Sequence, residues 1–500
     1  MEWLTESINK IDPELVKNLL LFDQRNPLLF NTGLFMFLFL GFLLVYQAMR
    51  RWRAAKMVVT ILFSLYFYYK SSAEYCFILL GVCLSDYLLG LWMGRAQARW
   101  HRRLIVWINV LLNVGMLVWF KYINLIIDTF ASITGTSFDP LDIILPAGIS
   151  FFTFRSISYI VDLYRGKMKP CTNLLDYTFF LTFFPPLLAG PVVRAVDMLP
   201  QIKRNDPATR AMVAEGLFLI MSGLIKKAVI ADYISNNFVD RIFENPTLYS
   251  GFENVMGTIG FTLQLYCDFS GYSDMAIGIA LLLGYRFADN FNSPFKSQNP
   301  GEFWRRWHIS LSQWLRDYIY IPLGGNRCSK LRANANRFTT MAIGGLWHGA
   351  SWMYLIWGAY QGMLLVLHQG LKSITPKWLI MPPSGLRRFL NIALTFTLTV
   401  IGFTFFRSLS LEHLQGMYTQ MTENFHADIA TQFMSAYATI MVVIGIGFAL
   451  HFSPSSWRKK VLGKYIALPI AVQAMVLAIV LFIVVQTRSS ELVPFVYLQY

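Results

Sequence analysis

Two stretches decide how this chain is organised: GEFWRRWHISLSQWLRDYIYIPLGGNR, residues 301–327, and GGLWHGASWMYLIWGAYQGMLLVLHQ, residues 344–369. The first places His308 among tryptophans and arginines, and the second places His348 in an apolar run rich in glycine. A titratable group is costly in apolar surroundings unless it has a partner or a task. We therefore treat the two histidines as the centre of the candidate site.

The composition is that of a membrane protein. The chain has 500 residues, of which 55% are hydrophobic and only 14% charged, whereas soluble domains carry about a quarter charged residues. Several apolar runs approach the length of about 20 residues that crosses a bilayer. The predicted fold class is an all-α polytopic integral membrane protein, with about 11 spanning or re-entrant helices.

The charged residues give the predicted topology. The net charge of +15 comes from 43 basic and 28 acidic residues. The basic ones cluster in short loops between apolar runs, the distribution that marks the cytoplasmic side. This predicts an outside N-terminus and membrane lipid as the partner of the basic residues, and no motif points to nucleic acid.

The five cysteines form no CxxC pair and no zinc spacing with histidine, so no disulfide framework and no metal site are predicted.

We predict two parts along the chain. Residues 1–27 form an N-terminal extension, interpreted either as a short amphipathic helix on the membrane surface or as an ordered tail. Residues 28–500 form a single transmembrane domain whose catalytic core covers about residues 260–369. Within that core, residues 339–369 begin and end beside basic loops. They must enter the membrane and return, or cross it twice, which keeps His348 within reach of the cytoplasm.

Prolines predict one broken segment. Pro185, Pro186 and Pro191 follow an apolar helical pattern, with Gly190 between them. Proline removes a backbone donor and interrupts a helix. Non-helical backbone at membrane depth is tolerated where it packs on protein or lines a cavity. A broken or re-entrant segment is therefore expected here.

A polar cluster interrupts the apolar run over residues 260–287. Its members are Asp268, Ser270, Tyr272, Ser273 and Asp274. Acids and hydroxyls in such a run need partners or water. Five together favour the wall of a polar cavity, and the alternative is a network of hydrogen bonds between helices.

The surroundings of the first histidine suggest an anion site. On a helix over residues 303–318, an apolar stripe that includes Trp304 and Trp307 places His308 at its edge. Arg305, Ser312 and Arg316 lie next to His308 on that helix. Cations beside a cleft suit an anionic substrate such as a phosphate-bearing thioester. The alternative is an interfacial helix whose His and Arg side chains contact lipid headgroups.

The second histidine has the setting of a base. Small residues around His348 allow a backbone or a ligand to approach closely. A neutral imidazole there accepts a proton, as attack of a hydroxyl on a thioester requires, and such catalysis contributes roughly 10²- to 10⁴-fold. The alternative is a buried structural histidine. No GxSxG, HExxH or P-loop pattern competes with this interpretation.

The chain resembles the membrane-bound O-acyltransferase (MBOAT) family, and within it the branch that contains the membrane subunit of bacterial alginate O-acetylation. The resemblance covers residues 145–369 closely. It is carried by LPAGISFFTFRSISYIVDLYRG, by QLYCDFSGYSDMAIG with the following GYRFADNFNSPF, and by the two stretches quoted first. The segment FFPPLLAGPVVR and the terminal FVYLQY also match the family pattern.

The resemblance implies a site and a reaction. Helices surround a central tunnel, and two histidines lie near its constriction. The catalytic histidine falls on His348, with Trp347 beside it in the tunnel, and His308 supports or positions. The donor is a cytoplasmic thioester, here acetyl-CoA, and no cofactor is tightly bound. The acceptor is a polysaccharide hydroxyl or a serine of a partner acetyltransferase outside the cytoplasm, which implies the plasma (inner) membrane of a bacterium.

Three alternatives to this O-acetyltransferase remain. A related branch uses a carrier protein to load D-alanine onto teichoic acid. Broken helices and buried polar groups also occur in transporters and flippases, although no inverted repeat is found here. A non-catalytic membrane scaffold for polysaccharide secretion would make both histidines dispensable.

Overall fold

The structure is a computed structural model that describes residues 13–23, 26–374, 385–487 and 495. Regular structure in these residues is helical, and none of them lies in a β-strand. The all-α class predicted from the sequence is therefore confirmed. The terminal FVYLQY lies outside the described residues except for Phe495.

The described residues form a series of α-helices along the chain. Those of five or more residues in the first part of the chain are α1 Pro13–Leu20, α2 Gly33–Ala48, α3 Arg53–Ser72, α4 Cys76–Arg95, α5 Arg99–Leu117, α6 Ile123–Thr134, α7 Ile149–Tyr164, α8 Leu174–Thr182, α9 Ala195–Arg204, α10 Arg210–Leu224 and α11 Asp240–Glu244. Those that follow are α12 Gly251–Leu282, α13 Pro300–Trp304, α14 Ile309–Leu315, α15 Lys330–His348, α16 Trp352–Ile374, α17 Gly385–Arg407, α18 Leu411–Glu423, α19 Ala430–Ala436, α20 Ala438–Phe452, α21 Ser455–Ala467 and α22 Ile470–Thr487.

Several of these helices have the length and composition of membrane spans. In the described part of the chain, four helical stretches qualify: Arg53–Arg95, Arg99–Thr134, Gly385–Arg407 and Ile470–Thr487. A pair bent by 92°, over residues 427–452, gives a fifth when it is counted as one span.

Contacts between Cα atoms divide the chain into two compact units. The first contains the described residues of Met1–Asn124, Thr134–Leu188 and Arg194–Pro207, and the second contains those of Leu125–Ile133, Ala189–Val193 and Ala208–Tyr500. The single domain predicted for residues 28–500 stays a prediction. The core predicted for residues 260–369 lies within the second unit, and so do all the site residues named above.

The first unit contains the start of the predicted broken segment. Helix α8 ends at Thr182, and no helix follows until α9. Phe184, in the gap, packs its ring against several aromatic rings, including those of Phe39 at 6.1 Å and Phe63 at 5.0 Å. This non-helical backbone is thus packed on protein, which confirms the predicted break.

A buried carboxylate joins four helices of the first unit. Asp86 of α4 accepts hydrogen bonds from Asn109 of α5, Ser156 of α7 and Tyr177 of α8, each at 2.7 Å. Three donors to one carboxylate satisfy a group that would be costly to bury alone.

The second unit is built on one long buried helix. Helix α12 begins with a capping box, in which Ser250 and Glu253 satisfy each other's backbone N–H groups. It packs closely on α10: a Cβ atom at Gly223 would lie 2.5 Å from the carbonyl oxygen of Gly271. Glycine is needed there because the two backbones approach so closely.

Helices α15 and α16 form an antiparallel hairpin. Residues 349–351 make the turn between them. Entry of residues 339–369 into the membrane from the cytoplasmic side stays a prediction. At Gly358 of α16, a Cβ atom would lie 2.9 Å from the Cα atom of Gly345 in α15. This close packing places His348 at the tip of the hairpin.

Candidate active site

The predicted single helix over residues 303–318 is wrong. Helix α13 ends at Trp304, and α14 starts at Ile309. Between them, Arg306 accepts a backbone bond from Asn292 and Ile309 donates one to Asn290, both at 2.9 Å. These bonds to a neighbouring segment replace helical ones, and His308 takes a left-handed conformation with φ +40°.

His308 is a core residue rather than an interfacial one. Its side chain is 0% exposed. Its ring packs edge-on against Phe269, at a centroid distance of 4.7 Å, and parallel to Phe291 at 6.4 Å. The imidazole at this helix break therefore lies inside the protein and not at the membrane interface.

His348 ends helix α15 inside an aromatic box. Its ring lies 4.9 Å from that of Trp357 and 5.4 Å from that of Phe406, both edge-on. Its side chain is 4% exposed. These contacts bury the imidazole among aromatic rings.

One indole contacts both histidines. The ring of Trp347 lies 5.0 Å from that of His348 and 5.9 Å from that of His308. The structure thus brings together the three residues that the sequence placed nearest the chemistry.

A cavity of about 460 Å³ lies beside these residues in the second unit. Four of the predicted substrate-contacting residues line it: Trp304, Arg305, Ser312 and Arg316. The remaining lining residues are Asn299, Gly301, Leu315, Tyr320, Asn326, Arg337, Thr340, Met341, Leu365, His368, Gln369 and Lys372. Every charged side chain among these lining residues is basic, so the cavity attracts anions.

Two of the cavity arginines are held in place by neighbours. Arg337 donates to Asn334 at 2.7 Å and to Asn326 at 2.6 Å. Arg316 donates to the Asp317 carboxylate at 2.7 Å. This hydrogen bond raises the pKa of Arg316 above its ordinary value, so the guanidinium stays charged.

Two indoles separate the cavity from His348. Trp304 lines the cavity, donates to Gln361 at 3.3 Å and lies 6.0 Å, between ring centroids, from Trp357. Trp357 in turn contacts His348. The rings of Trp304 and Trp357 thus form a continuous line of contacts from the cavity to His348.

Trp307 and the two acids of the polar cluster have other neighbours. Trp307 packs against Phe303 and Phe403, at 5.6 and 5.0 Å. Asp268 pairs with Lys227 at 2.6 Å, and Asp274 pairs with Lys226 at 2.7 Å. Both lysines belong to the π-helical segment Ile225–Ala231. At these contacts the two acids take part in ion pairs between helical segments, which is the alternative to a cavity wall. Trp307, Asp268 and Asp274 are not among the residues that line the cavity described above.

The other three members of the polar cluster are also buried. Ser273 accepts a hydrogen bond from Asn290 at 3.1 Å, and Asn290 contacts His308. Tyr272 packs edge-on against Phe495 at 4.5 Å. Ser270 is 1% exposed. Within the cluster, it is Ser273 that connects to a candidate catalytic residue.

Sequence reasoning missed several residues of this site. Asn290, Trp357, Phe406, Arg337 and Lys372 contact the histidines or line the cavity. Local periodicity carries no signal for Asn290 or Phe406, because they reach the histidines through tertiary packing. In the sequence, Arg337 and Lys372 belong to basic segments whose charge indicates topology and gives no sign of a cavity.

Comparison with known proteins places the chain among acyltransferases. The profile of the membrane-bound O-acyltransferase (MBOAT) family matches residues 170–405. The chain is 41% identical over 404 residues to "Probable alginate O-acetylase AlgI" of Pseudomonas aeruginosa, which covers 79% of this chain and 75% of that protein. It is 37% identical over 415 residues to "Peptidoglycan O-acetyltransferase" of Helicobacter pylori, 77% of this chain and 78% of that protein. A "Teichoic acid D-alanyltransferase" of Bacillus subtilis is 28% identical over 286 residues, 55% of this chain and 71% of that protein.

The close packing of the hairpin predicts the effect of Gly345→Ala. The added methyl group meets the Tyr354 carbonyl and the backbone of Gly358, so the helices must separate. Overpacking of this kind costs about 1–3 kcal/mol. We expect a lower unfolding temperature for the protein in detergent, followed by tryptophan fluorescence. Gly370→Ala, with no atom within 4 Å of the added methyl group, is the matched control; equal unfolding temperatures for the two variants would contradict this packing.

Proposed function

Because this chain belongs to the membrane-bound O-acyltransferase family, we propose that it transfers an acetyl group from acetyl-CoA toward a polysaccharide hydroxyl outside the cytoplasm. The protein is an O-acyltransferase and a multi-pass membrane protein of a bacterium. The acetyl donor follows from the relatives whose names describe alginate and peptidoglycan O-acetylation. The same names support a glycan as the acceptor.

The basic cavity is the observation that carries the donor assignment. Coenzyme A bears several phosphate groups, and planar guanidinium groups bind phosphate with paired hydrogen bonds. Arg305, Arg316 and Arg337 line the cavity together with Lys372. The volume of about 460 Å³ falls in the range of small-molecule sites. The cavity therefore suits the phosphate-bearing part of the donor.

The basic residues also support a cytoplasmic donor side. Arg305, Arg337 and Lys372 belong to basic segments of the sequence that charge distribution assigns to the cytoplasm. The same rule supports an outside N-terminus and a location in the plasma (inner) membrane. The acceptor then receives the acetyl group on the opposite side, directly or through a partner acetyltransferase.

His348 is proposed as the general base. Its neutral imidazole takes the proton from the acceptor hydroxyl while the hydroxyl oxygen attacks the thioester carbonyl. The carbon–sulfur bond breaks, and the coenzyme leaves as a thiol after taking that proton from His348. The acetyl group ends on the acceptor oxygen, and His348 returns to its neutral form. His308, joined to it through Trp347, is proposed to position the reacting groups.

The inner wall of the cavity supports a small acyl group. On the route proposed here, the thioester passes Trp304 and Trp357, which contact each other and lead from the cavity to His348. Both indoles are buried and packed, so the space that they can yield is limited. Acetyl is among the smallest acyl groups, which agrees with the names of the O-acetyltransferase relatives.

Carrier-dependent transfer of D-alanine to teichoic acid is the second candidate. It rests on the similarity to the teichoic acid D-alanyltransferase, which is lower in identity and covers less of this chain than the two O-acetyltransferases described above. The donor arm of a carrier protein bears one phosphate group, and fewer basic residues are needed to bind it. The number of basic residues in the cavity favours coenzyme A.

His348→Ala tests the proposed base. We expect the rate of acetyl transfer from labelled acetyl-CoA to fall by roughly 10²- to 10⁴-fold in membrane vesicles that retain the acceptor, because the proton has no acceptor in this variant. His426→Ala removes an exposed imidazole and serves as the control. Transfer by His348→Ala at the control rate would contradict the assignment.

The cavity arginines predict a binding defect. Arg305→Gln and Arg316→Gln each remove a charge that would contact phosphate, and a hydrogen bond to a charged group contributes about 1.5–3 kcal/mol. We expect each variant to raise KM for acetyl-CoA about tenfold or more, with a smaller change in kcat.

Arg327→Gln is the matched control for these two variants. It removes the same charge from an exposed residue that is not among those lining the cavity. Steady-state kinetics in nanodiscs distinguish the three. An equal KM for acetyl-CoA in Arg305→Gln, Arg316→Gln and Arg327→Gln would show that the cavity does not bind the donor.

A further inference from the structure

We propose that Asn290 is a positioning residue for the transfer reaction. It holds His308 in the tautomer that carries its proton on Nδ1 and its lone pair on Nε2. The role in transfer rests on the proposed function, whereas the tautomer rests on geometry alone. Nε2 is then the atom that accepts a hydrogen bond or proton from a reacting group.

Asn290 is fixed by hydrogen bonds on both ends of its amide. Its side chain is buried, at 1% exposure. Its Oδ1 atom accepts from the Ser310 backbone N–H at 3.2 Å and from the Ser310 hydroxyl at 2.8 Å. Its Nδ2 atom donates to the Ser273 hydroxyl at 3.1 Å. These contacts leave the amide one orientation.

The Ser310 backbone N–H decides which amide atom is oxygen. A backbone N–H can only donate, so the atom that it faces must be an acceptor. If the amide were flipped, its NH2 group would face the Ser310 backbone N–H, and two donors would face each other. The same Oδ1 atom lies 3.2 Å from Nδ1 of His308. An amide oxygen has no proton to give, so Nδ1 of His308 must be the donor.

The tautomer follows from this contact. A neutral imidazole has a single N–H, and its other nitrogen carries a lone pair. With the proton on Nδ1, the lone pair is on Nε2. The Asn290 amide thus determines that Nε2 of His308 is an acceptor, although it contacts only Nδ1. Hydrogen-bond partners of catalytic histidines have the same effect in other enzymes.

Asn290 also holds the backbone of His308. The left-handed conformation at His308 is unfavourable for a residue with a Cβ atom. It is held because Ile309 donates its backbone N–H to the Asn290 carbonyl at 2.9 Å. Strained backbone of this kind persists where the surroundings enforce it, and it often occurs at functional sites. One residue therefore fixes both the ring and the backbone of His308.

Neighbouring rings fix the plane of the imidazole. Phe269 meets it edge-on, Phe291 lies parallel to it and Trp347 is tilted by 56°. Because the ring plane and the Nδ1 contact are both set, the direction of the Nε2 lone pair is set as well. A nitrogen whose lone pair has a fixed direction orients a hydroxyl or thiol before the reaction. This lowers the entropic cost of reaching the transition state.

Nitrogen NMR of the full-length protein in nanodiscs tests the tautomer directly. The protein is labelled with ¹⁵N-histidine, and the His308 signals are identified by their loss in His308→Gln. We expect a protonated Nδ1 and an unprotonated Nε2 in the wild-type protein without substrate. A protonated Nε2 in the wild-type protein would overturn the proposal.

Variants at Asn290 test the positioning role. Asn290→Ala removes the acceptor, so we expect signals from the Nε2–H tautomer and a fall in kcat of about tenfold or more, with KM for acetyl-CoA nearly unchanged. Asn290→Asp keeps an acceptor oxygen and should retain the Nδ1–H tautomer and more of kcat. Asn292→Ala removes an exposed amide from the same segment and should change neither.

The outcomes separate this inference from the proposed function. An unchanged tautomer and kcat in Asn290→Ala would overturn the positioning role while transfer continues. Absence of acetyl transfer in the wild-type protein would overturn the proposed function, and the NMR measurement would still decide the tautomer. If Asn290→Ala fails to fold, Asn290→Asp decides. The Nδ1–H tautomer in Asn290→Asp supports the proposal, and the Nε2–H tautomer in it would overturn the proposal.

Discussion

A polar group buried in a membrane protein must find its partner inside the protein, and this constraint organises the structure. Water is excluded, so each unmatched donor or acceptor costs free energy. Asp86 collects three donors, and Asp268 and Asp274 pair with adjacent lysines of a π-helical segment. Asn290 distributes four side-chain contacts among Ser273, His308 and Ser310. Each of these groups ties helices together, so polar pairing contributes to the packing.

The candidate site divides into parts with opposite electrostatic character. The cavity is lined by basic side chains, whereas the two imidazoles lie among aromatic rings. Trp304 and Trp357 lie between the cavity and His348. This arrangement keeps the basic side chains of the cavity away from the proposed base. A cation beside His348 would lower its proton affinity, and a carboxylate would raise it.

Local pattern was sufficient for much of the fold and for part of the site. Hydropathy predicted the helical class, the prolines at 185 and 186 predicted the break after α8, and the charge of flanking loops predicted the α15–α16 hairpin. Arg305, Ser312 and Arg316 line the cavity as predicted, although the helix that was expected to carry all three is broken between Trp304 and Ile309.

Long-range partners account for what local pattern missed. Periodicity over residues 303–318 predicted one helix, but Asn290 and Asn292 take the backbone bonds of Ile309 and Arg306. The partners of Asp268 and Asp274 lie more than 40 residues earlier, at Lys227 and Lys226. No rule of helical spacing connects positions so far apart, so these contacts emerge only from the packed structure.

The most direct test of the account is a cryo-EM structure of the protein in nanodiscs with a thioether analogue of acetyl-CoA, which cannot transfer its acyl group. The account predicts that the phosphates contact Arg305, Arg316 or Arg337, and that the chain carrying sulfur runs past Trp304 toward His348. An analogue bound outside this cavity, or one whose sulfur end points away from His348, would contradict it.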